Sequence, residues 1–467
     1  MTKHMFLKAA TGVAFLLSAS TALKADVVPV SDDTRETAAM LRDKALKSDA
    51  AYEILESLTT EVGPRLGGSE KEAEAARWAV AKLKALGFDK VYTEPVTVSK
   101  WERISESASV VAPYTQPLSI TALGKSAATP EGGITAEIVH IPTYEALLEA
   151  DPADIEGKIV FISNRMERFK TGAGYGPAVQ ARGKGAAEAA RKGAKAIIIR
   201  SIGTDSHRLP HTGGVNYEEG TPPIAAAALS NPDADLLERM LDRGKPISIH
   251  VDVQTKFHGD VTMHNVIGEI TGREKPEEVI LMGSHLDSWD LGTGAIDDGA
   301  GVAITVAAAD MIQDLTKERP RRTLRVVLFA SEELGLIGAK QYAEAHKDDV
   351  ANHVIGAESD FGAGPVWALA SKVSTGSVHV VDTMAQLMQP LGVVRHGREA
   401  GGGPDVGQMV KIGMPGIDLM QDGTDYFDLH HTADDTLDKV DPEALKQNVA
   451  AWVVFAYIAA EWPGDFR

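Results

Sequence analysis

The sequence predicts an α/β protein: a mostly parallel, mixed sheet sandwiched by helices, with a β-rich domain inserted into it. Three observations predict it. In the second half of the chain four apolar runs, "EEVILMGSH", "TLRVVLFAS", "HVIGAESD" and "MPGIDLMQD", alternate with helical stretches such as "GAGVAITVAAADMIQDL" and the closing "DPEALKQNVAAWVVFAYIAAEW". Strands that alternate with helices imply a mostly parallel sheet covered on both faces. Between residues 108 and 256 the texture changes to short β-like runs ("ASVVA", "ITAEIVHI", "KIVFI", "AIIIR") around one helix, "KGAAEAARKGA", with Pro and Gly between them. Finally, residues 34–86 read as helical, broken at the loop "TEVGPRLGGSE", and lead into the alternating strand "KVYTEPVTV". Residues 26–107 and 257–467 are thus expected to form one discontinuous domain, with residues 108–256 as a compact insertion.

Residues 1–25 read as a signal peptide. Lys3 and Lys8 supply the positive start, residues 9–17 the apolar core, and Ala22 and Ala25 both fit the cleavage position. The chain has no cysteine and no Asn-x-Ser/Thr sequon. A disulfide-free exported protein points to a periplasmic or secreted location, a bacterial periplasm first. The formal charge of −19 argues against nucleic acid and against an anionic membrane surface as partner.

Each of the four C-terminal strands ends in acids or histidine: His285 and Asp287, then Glu332 and Glu333, then Glu358 and Asp360, then "QDGTDYFDLHHTADDT". Singly, each reads as a turn or a helix cap. Together they fall where a doubly wound sheet forms its ligand crevice. His, Asp and Glu without Cys make the donor set of a hydrolytic zinc site. His285, Asp297, Glu333, Asp360 and His431 suffice for two ions sharing one carboxylate. Glu332, beside a ligand yet pointing elsewhere, suits a general base. Asp287 is placed to hold the second nitrogen of His285, and Asp435 that of His431.

The series "GSHLDSWD…GAIDDGAG", "ASEELGLIGA", "ESD" and "HHTADDT" resembles the co-catalytic di-zinc aminopeptidase family, and "VGPRLGGS", "EPVTVSKWER" and "PHTGG" extend the likeness over nearly the whole chain. The resemblance implies a protease-associated-type insertion and two zinc ions per subunit. His285 and Asp360 would hold one ion, Glu333 and His431 the other, with Asp297 bridging and Glu332 as base. It further implies a cis peptide after the bridging aspartate, short peptide substrates with free termini, and a homodimer. His430 and Asp298 compete with their neighbours; the four-residue spacing to Asp435 favours His431, and the twelve-residue spacing from His285 favours Asp297.

The function expected is metal-assisted hydrolysis of dipeptides. The alternatives are a general aminopeptidase on longer peptides and a receptor-like protein without activity. Asp422, Asp425 and Asp428 are candidates for the substrate ammonium, Tyr426 for the oxyanion, and Arg395 or Arg398 for a free carboxylate. His207 and His211 read as loop residues of the insertion that face the cleft.

Overall fold

The computed structural model describes residue 1 and residues 28–467. The segment read as a signal peptide, Met1 apart, lies outside the described residues. In chain order the strands are β1 (Lys90–Ala112), β2 (Gln116–Leu118), β3 (Ile120–Ala122), β4 (Ile134–Ile141), β5 (Ile159–Ile162), β6 (Ala196–Arg200), β7 (Ala225–Leu229) and β8 (Ser248–Ile270), followed by β9 (Lys275–His285), β10 (Arg322–Phe329), β11 (His353–Glu358), β12 (Val366–Lys372), β13 (Val394–Arg395) and β14 (Gly416–Gln421). The sheet runs β13-β12-β14-β11-β9-β10-β8, then β4-β5-β6-β7-β3.

The four strands read as apolar runs, β14, β11, β9 and β10, lie side by side and parallel, with antiparallel neighbours at both edges. Their burial on both faces follows from side-chain alternation. Ile280, Met282, Leu324, Val326 and Leu328 enter the main core, while Leu281, Val327 and Phe329 enter a second core on the other face. The main core is covered by the helices Asp32–Ala45, Ala50–Glu61, Ala300–Leu315 and Pro442–Glu461. The second is covered by Ile337–Ala345 and Val406–Lys411. Parallel pairing in register brings Phe329 beside His285 and Gly283 beside Glu358, so these strands end along one edge.

An antiparallel ribbon joins the two halves of the sheet. β1 and β8, each 23 residues long, pair from Lys90–Glu269 to Ala112–Ser248. The end of β8 pairs with β10 and its beginning with β4, so one strand belongs to both halves. Beyond the ribbon, β4, β5, β6 and β7 run parallel around a separate core that includes Phe161, Ile198, Leu229 and Ile249. Where the ribbon meets the edge formed by the strand ends, Trp101 packs with Leu66, Val98, Trp289 and Leu334, and its indole donates to the Ser126 carbonyl at 3.0 Å.

The structure departs from the sequence reading at three places. The helix expected from Glu332 starts at Ile337, because residues 331–336 form a turn with Ser331 and Leu336 at positive φ. Residues 108–256 hold further helices, notably Asn231–Leu241, whose first turn is capped by Ser230 accepting from the Asp233 N–H. β12, β13 and the helix Val378–Met388 occupy a stretch that the sequence left unread. Among the described residues no helix is long and apolar enough to cross a membrane.

Trp101 is 1% exposed. Truncation to alanine removes one of the junction's two tryptophans, and Trp101→Ala is expected to cost about 3–5 kcal/mol. A shift in the chemical denaturation midpoint measures it.

Candidate metal centre

The site is built where β9, β10, β11 and β14 end. His285 is the last residue of β9, and the chain then doubles back through residues 286–299. Gly294 makes that reversal possible: its φ is +62°, and a Cβ there would meet Ser288 Cβ at 2.4 Å and Arg65 Nη1 at 2.7 Å. The peptide between Asp297 and Asp298 is cis.

Asp297 is buried with its two oxygens facing different partners. Oδ1 lies 3.0 Å from His285 Nε2, which is also 3.5 Å from Asp360 Oδ1. Oδ2 lies 3.3 Å from His431 Nε2, which is 3.0 Å from Glu333 Oε2. His285 Nδ1 donates to the Asp287 carbonyl at 3.0 Å, and His431 Nδ1 to the Thr212 carbonyl at 3.2 Å. With both Nδ1 atoms so engaged, each Nε2 turns a lone pair toward carboxylate oxygens. Glu333 Oε1 is buried without a partner. Acceptors converging on acceptors require a proton or a cation between them, so the donor set fits metal ions. Three groups of donor atoms converge: His285, Asp297 and Asp360; Asp297, His430 and His431; and His285, Glu332 and Glu333.

The electrostatics carry the same signature. Burial pushes the carboxyl groups of Glu332, Glu333 and Asp360 upward, and neighbouring carboxylates add to it. Burial acts on Asp297 too, but hydrogen bonds from His285 and His431 outweigh it and hold Asp297 well below its ordinary value. His285, although buried, is raised well above its ordinary value by Asp287, Asp297 and Asp360.

The residue pairs left open by the sequence separate by their contacts. Asp298 turns away from the cavity: its carboxylate accepts from the backbone N–H groups of His285 and Gly301. His430 stacks on His431 with ring centroids 3.5 Å apart, but its Nε2 is 3.7 Å from Asp297 and it makes no ion pair with Glu333. Asp287 does support His285, through its carbonyl, with its carboxyl Oδ1 3.4 Å from Nδ1. The same carboxylate accepts from the Glu332 and Glu333 N–H groups and so fixes the turn that carries them.

Other expectations are corrected. Asp435 does not touch His431; its carboxylate accepts from the N–H groups of Ile296 and Asp297 and holds up the Asp297 loop from below. Asp425 lies outside this cavity, its side chain 83% exposed and paired with Arg168. Asp428 is drawn to the same guanidinium, and Asp422 to Lys170. Arg395 pairs with Asp382 beside β12 and β13, and Arg398 donates to the Val373 carbonyl. Neither arginine lines the cavity. Tyr426 does line it, with its ring against Phe361 and His430.

Sequence reasoning missed four groups. Arg65 is fully buried and donates to the carbonyls of Leu286, Thr293 and Gly294 at 2.5–2.9 Å, placing a positive charge beneath the acids. Thr212 pairs twice with His431, its N–H donating to the His431 carbonyl at 3.0 Å. Lys125 and Arg182 line the cavity opposite the strand ends. His211, read as a loop residue, is buried between Asp205 (2.6 Å) and the His430 carbonyl (2.7 Å). No spacing rule finds these, because their contacts with the loops and turns of the site span 209–249 positions in sequence. Two motifs carried a signal: "VGPRLGGS", which contains Arg65, and "PHTGG", which contains His211 and Thr212.

Comparison with known proteins gives the family. Residues 265–456 match the model of peptidase family M28. The chain is 38% identical to carboxypeptidase Q of Bos taurus over 411 residues, which is 88% of this chain and 85% of that protein. The chain belongs to peptidase family M28. Its likeness to carboxypeptidase Q of Homo sapiens is 37% over 414 residues, again 88% of this chain and 85% of that one. The crystal structure of a peptidase M28 precursor from Shewanella amazonensis SB2B superposes with a TM-score of 0.92 at 50% identity, covering 94% of this chain and 99% of that one. An aminopeptidase from Aneurinibacillus sp. strain AM-1 shares the fold at TM-score 0.64 and 25% identity, covering 92% and 97%. The strand-end residues therefore belong to an M28 enzyme, and the recognition drawn from their motifs stands.

Arg65→Met would leave three or more carbonyls without their buried donor and the surrounding acids without a counter-charge. It is expected to lower stability by about 3–5 kcal/mol, read by chemical denaturation, and to weaken metal binding in a chelator competition.

Proposed function

We propose that this M28 enzyme is an exported di-zinc peptidase that hydrolyses short peptides, dipeptides with both termini free in particular. The observation that carries the reading is the division of Asp297, one oxygen toward His285 and Asp360, the other toward His431 and Glu333. His285 and Asp360 would hold one ion, Glu333 and His431 the other, and Asp297 both. Bound zinc supplies Lewis acidity toward a carbonyl oxygen and makes water more acidic.

The chain's own groups do the rest. Glu332 accepts the proton of the attacking water and returns it to the leaving amine; burial and the like charge of Glu333 raise its proton affinity. Tyr426, on the cavity wall, donates to the oxyanion. Asp287 sets the Glu332–Glu333 turn against His285, so base and ligands keep one geometry. Short substrates are favoured because residues 108–256, read as a protease-associated-type insertion, wall the far side and leave a cavity of about 360 Å³. Carboxypeptidase Q relatives along most of the chain support a peptidase reading. Export by residues 1–25 and a homodimer complete the proposal.

The test uses zinc-supplied enzyme and one dipeptide. Hydrolysis is expected to vanish on chelation and to return at two zinc ions per chain. Cleavage that is indifferent to acetylation of the substrate's N-terminus would exclude both dipeptidase and aminopeptidase. Glu332→Gln is expected to keep both ions and lose about 10²–10⁴-fold in kcat, measured by initial rates alongside metal analysis.

A further inference from the structure

The wall opposite the strand ends carries two cations that lack a counter-ion. Lys125 stands at φ +65° beside the bridge between Gly124 and Gly214. Its ammonium donates to Asn216 Oδ1 at 3.2 Å and to the Leu334 carbonyl at 3.3 Å, both neutral groups. Arg182, on the helix Tyr175–Arg191, is 8% exposed. It contacts the Tyr175 hydroxyl, the Thr212 carbonyl and His431 Nδ1, and its Nε is buried with no partner at all. Among the described residues neither side chain forms an ion pair, although both line a cavity that also holds Asp297, Glu332, Glu333 and Asp360.

Burial without an anion is unfavourable for a cation. It pushes the Lys125 ammonium below its ordinary value, and Lys340 adds to this. Metal ions would neutralise the acids across the cavity and leave these two charges the more exposed to any anion that enters. Their position says which anion. Lys125 contacts the carbonyl of Leu334, the residue after Glu333, and Arg182 lies one imidazole ring behind the His431 Nε2. Both thus sit next to the ligands of one ion. In a dipeptide the terminal carboxyl carbon lies three bonds, at most about 4 Å, from the scissile carbon. A longer peptide would put a neutral amide there and carry its chain into the wall.

We propose that Lys125, with Arg182 as the second positive charge, forms the subsite for the substrate's free α-carboxylate, and so limits the enzyme to one residue beyond the scissile bond. This rests on the peptidase reading above. The sequence candidates for that task, Arg395 and Arg398, point elsewhere, and the task passes to the insertion. Lys125 forms a charge-assisted hydrogen bond to the carboxylate, and Asn216 keeps the ammonium aimed at it.

The experiment compares kcat/KM for a dipeptide and its C-terminal amide in the zinc-loaded wild type, Lys125→Met and Lys125→Arg. The wild type is expected to prefer the acid, and Lys125→Met to lose about 10- to 100-fold of that preference, mostly through KM, with two zinc ions still bound. Lys125→Arg is expected to restore most of it. If Lys125 merely braces the Glu333 turn, acid and amide will fall together, through kcat, and the proposal is overturned. An unchanged acid-to-amide ratio in Lys125→Met overturns it too. A wild type that cleaves no dipeptide sinks the dipeptidase reading and this inference with it, so the two failures are told apart. Should Lys125→Met not fold, inhibition of the wild type by the free amino acid product against its amide gives the same comparison: equal potency counts against the subsite.

Discussion

The concentration of like charge at one edge of the sheet governs the rest of the molecule. Asp287, Asp297, Asp298, Glu332, Glu333, Asp360 and Asp435 gather at or near the ends of buried strands, where each carboxylate has lost water and gained negative neighbours. Such a cluster persists only with compensation from several sides. Backbone N–H groups take Asp287, Asp298 and Asp435, and Arg65 supplies a positive charge beneath them. Asp435 still stands pushed up to about 7, burial and Asp297 being the main causes. The oxygens left facing the cavity are those of the expected metal ligands and of Glu332. The inner acids thus shape the loops, and the outer ones remain for ions.

The same demand explains why the chain beyond the ribbon touches the catalytic edge so closely. The stretch 422–434 leaves β14 with no regular structure longer than one turn, yet it carries His431. It is held from outside. Arg168 pairs with Asp425 and Asp428, Lys170 with Asp422, Thr204 donates to Asp428, and Thr212 grips His431 on both its carbonyl and its ring. His431 itself sits at φ +62°, a conformation that a non-glycine residue keeps only when its surroundings impose it. The wall that closes the cleft is therefore also the support of His431, through Thr212 and Arg182.

The acids expected to meet substrate fail in that role for a related reason. Asp422, Asp425 and Asp428 are loop acids near the ligand histidine in sequence, but their charges serve to dock the loop on the cationic surface of Arg168 and Lys170. Asp435 likewise lies four residues after His431, and its carboxylate turns to the backbone of the facing loop. Nearness in sequence predicts a neighbourhood, not a partner.

By itself the sequence determined the parallel core, from four apolar runs long enough to be buried on both faces, and the donor set at their ends, because strand periodicity and the parallel register put those residues at a common edge. It also determined the loop reversal after His285, through its glycines. Tertiary structure alone decided which oxygen of Asp297 faces which histidine, that Asp298 and Asp435 look inward, that Arg65 lies under the acids, that Lys125 and Arg182 come across to the same cavity, and that Thr212 reaches His431. Those relations join residues tens to hundreds of positions apart. Charge balance and hydrogen-bond satisfaction in a shared buried space fix them, and neither leaves a periodic trace in a single chain.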